Sequence, residues 1–371
     1  MFIETLEEIS IYENPKPVLR SRAAKFPGLV RLPSGELLAL FELGEAFESV
    51  DSRTVLSRSG DGGRTWQLQG ELYDQAKLGL PFLCSETLKP LLLKDGRLMA
   101  TGYRFHRKDH DQTIANPSTG GVLPADVVVC FSNDLGRNWT LPRVIEHGFP
   151  EPIELSGPCI ETASGDILGT GAPFKSWDGS NPSGLMGLVF RSRDKGQTWD
   201  VSRRFFETPG RDVVPFEARM IEMQPGRLVT ISWAYDMTRN RNLNNQVTVS
   251  HDNGHTWSAP IDTGLLAQAS NLFWLGGEQL LTVHAHREGE TGLYVRLIDF
   301  TNDNWKVKAE EVIWGKGNVG ANSAVLADHF WSLKFGQPSL LRLEGDEFLA
   351  YHWGVESMQY KIKAHRVRLR L

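Results

Sequence analysis

The pattern Ser-x-Asp-x-Gly-x-(Thr/Asn)-Trp occurs four times in this chain. The copies are SGDGGRTW at Ser59–Trp66, SNDLGRNW at Ser132–Trp139, SRDKGQTW at Ser192–Trp199 and SHDNGHTW at Ser250–Trp257. A degraded fifth copy, TNDNW at Thr301–Trp305, lacks the glycine. Successive aspartates stand 73, 60, 58 and 51 residues apart, about the length of one four-stranded sheet with its loops. The residue types suit a hairpin turn. An Asp carboxylate accepts amide hydrogen bonds from its own turn, and Gly supplies the left-handed position. The Trp offers a large apolar face to a neighbouring sheet. On this reading Asp61, Asp134, Asp194 and Asp252 are structural and are not catalytic acids.

A second repeat sets the number of sheets. Apolar strand, glycine-containing turn and apolar strand recur six times, with turn glycines at Gly35, Gly96, Gly165, Gly226, Gly277 and Gly345. Six such hairpins, four or five of them followed by the octapeptide, predict an all-β, six-bladed β-propeller. Met358–Leu371 alternates like a strand, and Glu4–Tyr12 is predicted to pair with it as the outer strand of the last blade. That pairing closes the ring with the two ends of the chain and removes an exposed edge. No Gly/Ser-rich linker interrupts the pattern, so residues 1–371 are expected to form a single domain.

Composition narrows the partners. Forty basic residues against 45 acidic leave a formal charge of −5, with no basic stripe of the kind that binds nucleic acid. No run of about 18 apolar residues is present, so no membrane span is expected. Cys84, Cys130 and Cys159 are odd in number and lack metal-ligand spacing, as befits free buried thiols in a reducing compartment. The N-terminus shows no signal-peptide pattern, and a cytoplasmic location is the expectation.

The octapeptides, known as Asp boxes, together with six blades resemble the sialidase (neuraminidase) superfamily, and the resemblance covers nearly the whole chain. Sialidases hold the substrate carboxylate with three arginines and use a Tyr–Glu nucleophilic pair with an Asp acid/base. Phe216-Glu217-Ala218-Arg219, followed by the turn Pro225-Gly226-Arg227, is similar to the stretch that carries the family's glutamate, and implies a catalytic role for Glu217. Elsewhere the chain departs from the pattern. Lys25 stands at the first arginine, which keeps the charge but loses the planar fork. Ser232-Trp233 lies where the second arginine is expected, and Gln337, which is not a nucleophile, takes the tyrosine position. Arg287 lies close to the place of the third arginine.

In such a propeller one face is lined by residues entering each inner strand and leaving the second. Blades 1 and 2 offer Lys25, Glu42, Glu45, Glu48, Asp51, Glu86, Lys89, Tyr103, Arg104, His106 and His110. Blades 3 and 4 add Glu154, Lys175, Trp177, Asp178, Glu217, Arg219, Trp233, Tyr235 and Asp236. Blades 5 and 6 add Asn271, His284, His286, Arg287, Gln337, His352 and Trp353. Such a mixture suits a carbohydrate, with aromatic rings under sugar faces and polar groups on hydroxyls.

Three chemistries fit. The leading one is hydrolysis at a terminal sugar by two carboxylates, with no cofactor. Glu217 would be one carboxylate and Asp51 or Glu45, with Glu48 as a third alternative, the other. Lys25, Arg219 and Arg287 would contact an anionic or hydroxyl-rich sugar. Trp177, Trp233 and Trp353 would stack on it, and Arg104, His106, Tyr235, His284 and Gln337 would complete the substrate site. The second chemistry is β-elimination on a uronate by a His or Tyr base of blade 2. The third is carbohydrate binding without turnover. His284 and His286 share a strand face, but a hydrogen-bonded core pair is expected there and no metal is assigned.

Overall fold

Each of the six turn glycines adopts positive φ, between 55° at Gly277 and 88° at Gly96 and Gly165, so each hairpin closes where the sequence places it. The computed structural model describes residues 2–316 and 334–370. Six antiparallel sheets follow one another along the chain. Blade 1 runs Ala23–Arg31, Leu37–Gly44, Arg53–Ser59 and Gln67–Glu71, and blade 2 runs Leu83–Leu92, Leu98–Arg107, Ala125–Ser132 and Arg143–Val144. In blade 3 the inner strand is broken into Ile153–Glu154 and Ile160–Glu161, ahead of Ile167–Pro173, Gly187–Ser192 and Asp200–Phe206. Blade 4 holds Val213–Gln224, Arg227–Asp236, Gln246–Ser250 and Ile261–Asp262, with Arg241–Asn242 pairing the second strand. Blade 5 holds Ser270–Gly276, Gln279–His286, Gly292–Asp299 and Lys306–Trp314.

Blade 6 closes the ring as expected. Phe335–Arg342, Glu347–Glu356 and Gln359–Arg370 are joined by the N-terminal strand Phe2–Tyr12, which pairs antiparallel with Gln359–Arg370 from Phe2↔Arg370 to Tyr12↔Ile362.

The core is divided among the six interfaces between blades. Phe41 meets Tyr351 and Ile362 between blades 1 and 6, for example, and Met223 meets Leu272 and Ile298 between blades 4 and 5. The octapeptide tryptophans lie at these seams. Trp66, Trp139, Trp199 and Trp257 each pack between their own blade and the preceding one, and Trp305 of the degraded copy does the same. The aspartates hold the turns. Asp61 Oδ1 accepts the N–H groups of Arg64 and Thr65 at 3.0 and 2.9 Å, and its Oδ2 accepts the Thr65 hydroxyl at 2.6 Å. Asp134, Asp194 and Asp252 repeat this pattern, and hydrogen bonding helps hold their carboxyls down to about 2 although burial opposes it.

A polar latch crosses three seams on the octapeptide side. Arg58 donates to Glu36 of its own blade at 2.9 Å and to the Leu135 carbonyl in the next blade's octapeptide at 2.6 Å. Arg366 does the same with Glu347 at 2.8 Å and the Gly62 carbonyl at 2.6 Å. Arg191 pairs with Asp166 at 2.5 Å and reaches the Asn253 carbonyl. In each case the carboxylate follows the turn glycine by one or two residues, so one hairpin supplies both the turn and the anchor.

All three cysteines are free and buried. Among the described residues no helix is long and apolar enough to cross a membrane.

Candidate active site

A cavity of about 110 Å³ lies where the inner strands converge. Lys25, Phe26, Glu86, Glu154, Phe216, Glu217 and Gln337 reach it from the inner strands of five blades. Second strands add Glu42, Tyr103, Phe105 and Trp233, and loops add Phe47, Glu48, Ile114, Val122 and Phe174.

Three of these lining residues sit on strained backbone. Phe26, Glu217 and Gln337 have φ of 56°, 49° and 42°, a region that side-chain-bearing residues rarely occupy. Each lies at a register slip in the inner strand of its blade, between Lys25 and Gly28, Phe216 and Arg219, and Gly336 and Ser339. Such a bulge turns a side chain out of the strand's alternation, here onto the cavity. Left-handed residues cost about 1–3 kcal/mol each and persist where their surroundings over-determine them.

Buried cations supply that support. Lys89 donates to the Phe26 carbonyl at 2.5 Å, and Arg219 donates to the Glu217 and Ala218 carbonyls at 3.0 and 3.1 Å. Arg287 donates to the Phe335 carbonyl at 3.0 Å, two residues before Gln337. Two glycines make room for these braces. A Cβ on Gly28 would meet Lys89 Cδ at 2.9 Å, and one on Gly336 would meet Arg287 Nη2 at 2.0 Å. Burial lowers the Lys89 ammonium to about 7, with Arg219 adding to the effect, and it lowers Arg219 and Arg287 as well.

The carboxylates divide by partner. Glu42 is held by Lys25 at 2.7 Å, and Glu86 accepts the Tyr73 hydroxyl. Glu48 accepts the Ile114 N–H at 2.8 Å. Both oxygens of Glu154 lie 3.2 Å from the Glu217 backbone N–H. Burial, and then the Glu217 charge, push the Glu154 carboxyl up to about 7, so that near neutral pH a large fraction of it carries a proton. Burial raises Glu86 to about 7 as well. Glu217 Oε2 and Gln337 Oε1 are buried without a hydrogen-bond partner, and Arg287 Nη2 stands 4.0 Å from Glu217 Oε2.

Of the residues expected at the site, Glu217, Lys25, Trp233 and Gln337 line this cavity. Asp51 and Glu45 do not. They are exposed on a blade-1 turn, where Asp51 accepts the Glu45 N–H at 3.0 Å, and Glu48 is the blade-1 loop acid that reaches the lining. Arg219 and Arg287 lie behind the wall as braces. Trp353 is fully buried against Phe26 and Phe47, with ring centroids 5.9 and 5.7 Å away, and Tyr235 is buried with Phe216 and Trp233. Arg104 and His106 both bind Asp126, at 2.9 and 3.0 Å. Trp177 lines a separate groove beside His147 and Phe149. His284 is fully buried and bonded to Thr282, Ser270 and Asn245, at 2.8, 3.0 and 3.1 Å. Among the described residues no group of three or more His, Cys, Asp or Glu is placed to hold a metal ion.

Glu154 and Glu86 belong to the expected mouth without a role assigned to them, whereas Tyr103 is a candidate base of the elimination reading. Glu154 occupies a two-residue strand after Pro150 and Pro152, where alternation gives no direction for a side chain.

Similarity to known proteins agrees with the architecture. A structure of a protein of unknown function from Dyadobacter fermentans DSM 18053 superposes with a TM-score of 0.76 at 21% identity, over 99% of both chains. The Hadza microbial sialidase Hz136 superposes with a TM-score of 0.66 at 17% identity, over 94% of this chain and 66% of that one. The six-bladed fold is one this chain shares with that sialidase. A sialidase of Bacteroides fragilis (strain YCH46) is 26% identical over 64% of this chain, which spans only 43% of that relative's length. No protein-family model matches. An α-L-arabinanase of Penicillium chrysogenum superposes as well, with a TM-score of 0.64 at 14% identity, over 98% of both chains.

Proposed function

We propose that the chain is a glycoside hydrolase acting on a terminal sugar of a glycan or oligosaccharide, by a route other than orthodox sialidase chemistry. Glu154 is the general acid and Glu217 the general base or nucleophile. The observation that carries this reading is the pairing of two carboxylates in one aromatic-walled cavity. Glu154 accepts the backbone N–H of Glu217 through both oxygens at 3.2 Å, and burial and then the Glu217 charge raise its carboxyl to about 7. Hydrolysis of a glycosidic bond needs one carboxyl to protonate the leaving oxygen and one carboxylate to attack or to activate water. Phe26, Phe47, Phe174 and Trp233 give the cavity an aromatic lining suited to the C–H surface of a sugar. The sialidase relatives, by name enzymes on sialosides, support hydrolysis as the reaction class.

Gln337 at the position of the family's nucleophilic tyrosine speaks against that family's covalent step. Lys25 is also committed to Glu42, which argues against a carboxylate clamp.

The test is a panel of oligosaccharides followed for reducing ends and for ultraviolet absorbance together. Hydrolysis predicts new reducing ends without the absorbance near ~230 nm that an unsaturated uronate would give. Absorbance growing in step with product would replace this reading with an eliminase. Saturable binding with no product from any substrate would replace it with a binding propeller.

A further inference from the structure

The cavity between the inner strands is smaller than the ligand its walls suit. Its volume of about 110 Å³ is well below the ~300 Å³ at which small-ligand pockets begin. A sugar ring seated beside Glu154 and Glu217 therefore needs part of the wall to move. Most of the lining comes from inner and second strands, which are fixed in the hydrogen-bonded ladders of their blades. The rest comes from loops, and one of these loops is attached differently from the strands.

Residues 108–124 join the second and third strands of blade 2 and place Ile114, Ala115 and Val122 on the cavity. They form a strap anchored on both sides. Toward blade 1, the Ile114 N–H donates to Glu48 at 2.8 Å, and Arg107 donates to the Glu48 and Gln112 carbonyls at 2.8 and 2.7 Å. Toward blade 3, Val122 pairs with Ser176 and its N–H donates to the Lys175 carbonyl at 2.9 Å. Asn116 and Thr119 both donate to the Trp177 carbonyl, at 2.9 and 2.8 Å. Within the strap only Ala115, Gly121, Val122 and Leu123 are buried, the last two against Tyr103 and Phe105. A segment held by a few surface hydrogen bonds and a small apolar cluster belongs to the low-stability end of a fold. The blade-3 seat is also close-fitting: a Cβ on Gly121 would lie 1.8 Å from the Ser176 carbonyl oxygen.

We infer that residues 108–124 are a gate: the strap covers the cavity in the free chain and lifts from the blade-3 loop to admit a sugar. The bound sugar holds the strap in its lifted position, because the closed cavity has no room for both. Affinity is then reduced by the fraction of chains whose strap is closed, and whatever loosens the blade-3 anchor tightens binding. This inference rests on the glycoside hydrolase reading for its sugar ligand, while the opening itself is a property of the free chain.

The experiment compares the full native chain with two variants. In Gly121→Ala the new Cβ must push the strap off the Ser176 carbonyl. The double variant Asn116→Ala, Thr119→Ala removes two anchor bonds without crowding, and serves should the first fold poorly. None of these three residues lines the cavity. The probes are the 4-nitrophenyl glycosides of glucose, galactose, mannose and arabinose, assayed for nitrophenol release. Both variants are expected to lower KM several-fold with kcat little changed. A KM unchanged or raised in the double variant would overturn the gate and leave the hydrolase reading standing. Release from none of the glycosides would count against the hydrolase reading, and the gate is then decided by hydrogen exchange in the free native chain at pH 7. Exchange of the Val122 amide about 100-fold faster than the paired amides of Leu98–Arg107 and Ala125–Ser132 supports it, and equal protection overturns it.

Discussion

Glu154 grips the backbone of Glu217: both of its carboxylate oxygens lie 3.2 Å from the Glu217 N–H, at a residue whose φ is 49°. One carboxyl thus helps to fix the position of the other. The blade-4 bulge is pinned from in front by Glu154 and from behind by Arg219, which donates to the Glu217 carbonyl at 3.0 Å. Acid, counter-carboxylate and brace come from neighbouring inner strands, so the pair depends on correct packing of blades 3 and 4.

If Glu154 is the proton donor, its loss matters most where the leaving group needs a proton. Glu154→Gln is expected to lower kcat/KM by about 10²–10⁴-fold on substrates with an alcohol leaving group. The loss on a dinitrophenyl glycoside, whose leaving group departs unprotonated, is expected to be small. Equal losses on both, measured by initial rates, would remove Glu154 from the acid role.

The same residue makes stability depend on pH. Its carboxyl is raised from an ordinary 4.5 to about 7 in the folded chain, so it favours folding fully below about 4.5 and that contribution is lost as pH rises through 7. Glu154→Gln lacks the titration. Relative to the native chain, the variant is expected to gain stability between pH 5 and pH 8.5, by up to about 3 kcal/mol. Thermal melts of both proteins at the two pH values check the sign.

Ring closure can be tested at its latch. Arg366 joins Glu347 of blade 6 to the Gly62 carbonyl of blade 1, and its side chain is 9% exposed. Arg366→Ala leaves a carboxylate and a carbonyl short of donors and is expected to cost about 2–3 kcal/mol. Arg64→Ala serves as the control, because the Arg64 side chain is 57% exposed and stands 3.9 Å from Glu7; its expected cost is under about 1 kcal/mol. Urea melts give both values.

Gly336 is where the Arg287 brace meets blade 6. A Cβ at that position would lie 2.0 Å from Arg287 Nη2 and must displace the guanidinium. Gly336→Ala is expected to cost about 1–3 kcal/mol of stability by overpacking. It is also expected to lower turnover, because Gln337 and the Glu217 neighbourhood lose their support. Unchanged turnover in a destabilised variant would show that the brace is only structural.

Much of the architecture was legible in the sequence because repeats carry it. The octapeptides and the six turn glycines reported blade number, hairpin positions and the seam tryptophans, and strand alternation at both ends reported ring closure. The site was less legible. Glu217 was visible through family resemblance, but strand alternation does not foresee the register slips that turn Phe26, Glu217 and Gln337 onto the cavity. Arg219 and Arg287 are expected as substrate contacts, Arg287 through its closeness to the family's third arginine, yet Arg219 donates to the Glu217 and Ala218 carbonyls and Arg287 Nε to the Phe335 carbonyl. Asp51 and Glu45 stood at plausible distances along the chain, yet the loop turns them to solvent and brings Glu48 inward.

The account turns on Glu217, and the most direct measurement is turnover of the best glycoside substrate by Glu217→Gln, with binding of that substrate measured on the same preparation. The expected result is loss of kcat by about 10³-fold or more with the dissociation constant changed far less, as for a group that acts in the transition state. A variant that binds and turns over like the native chain would contradict the two-carboxylate mechanism outright.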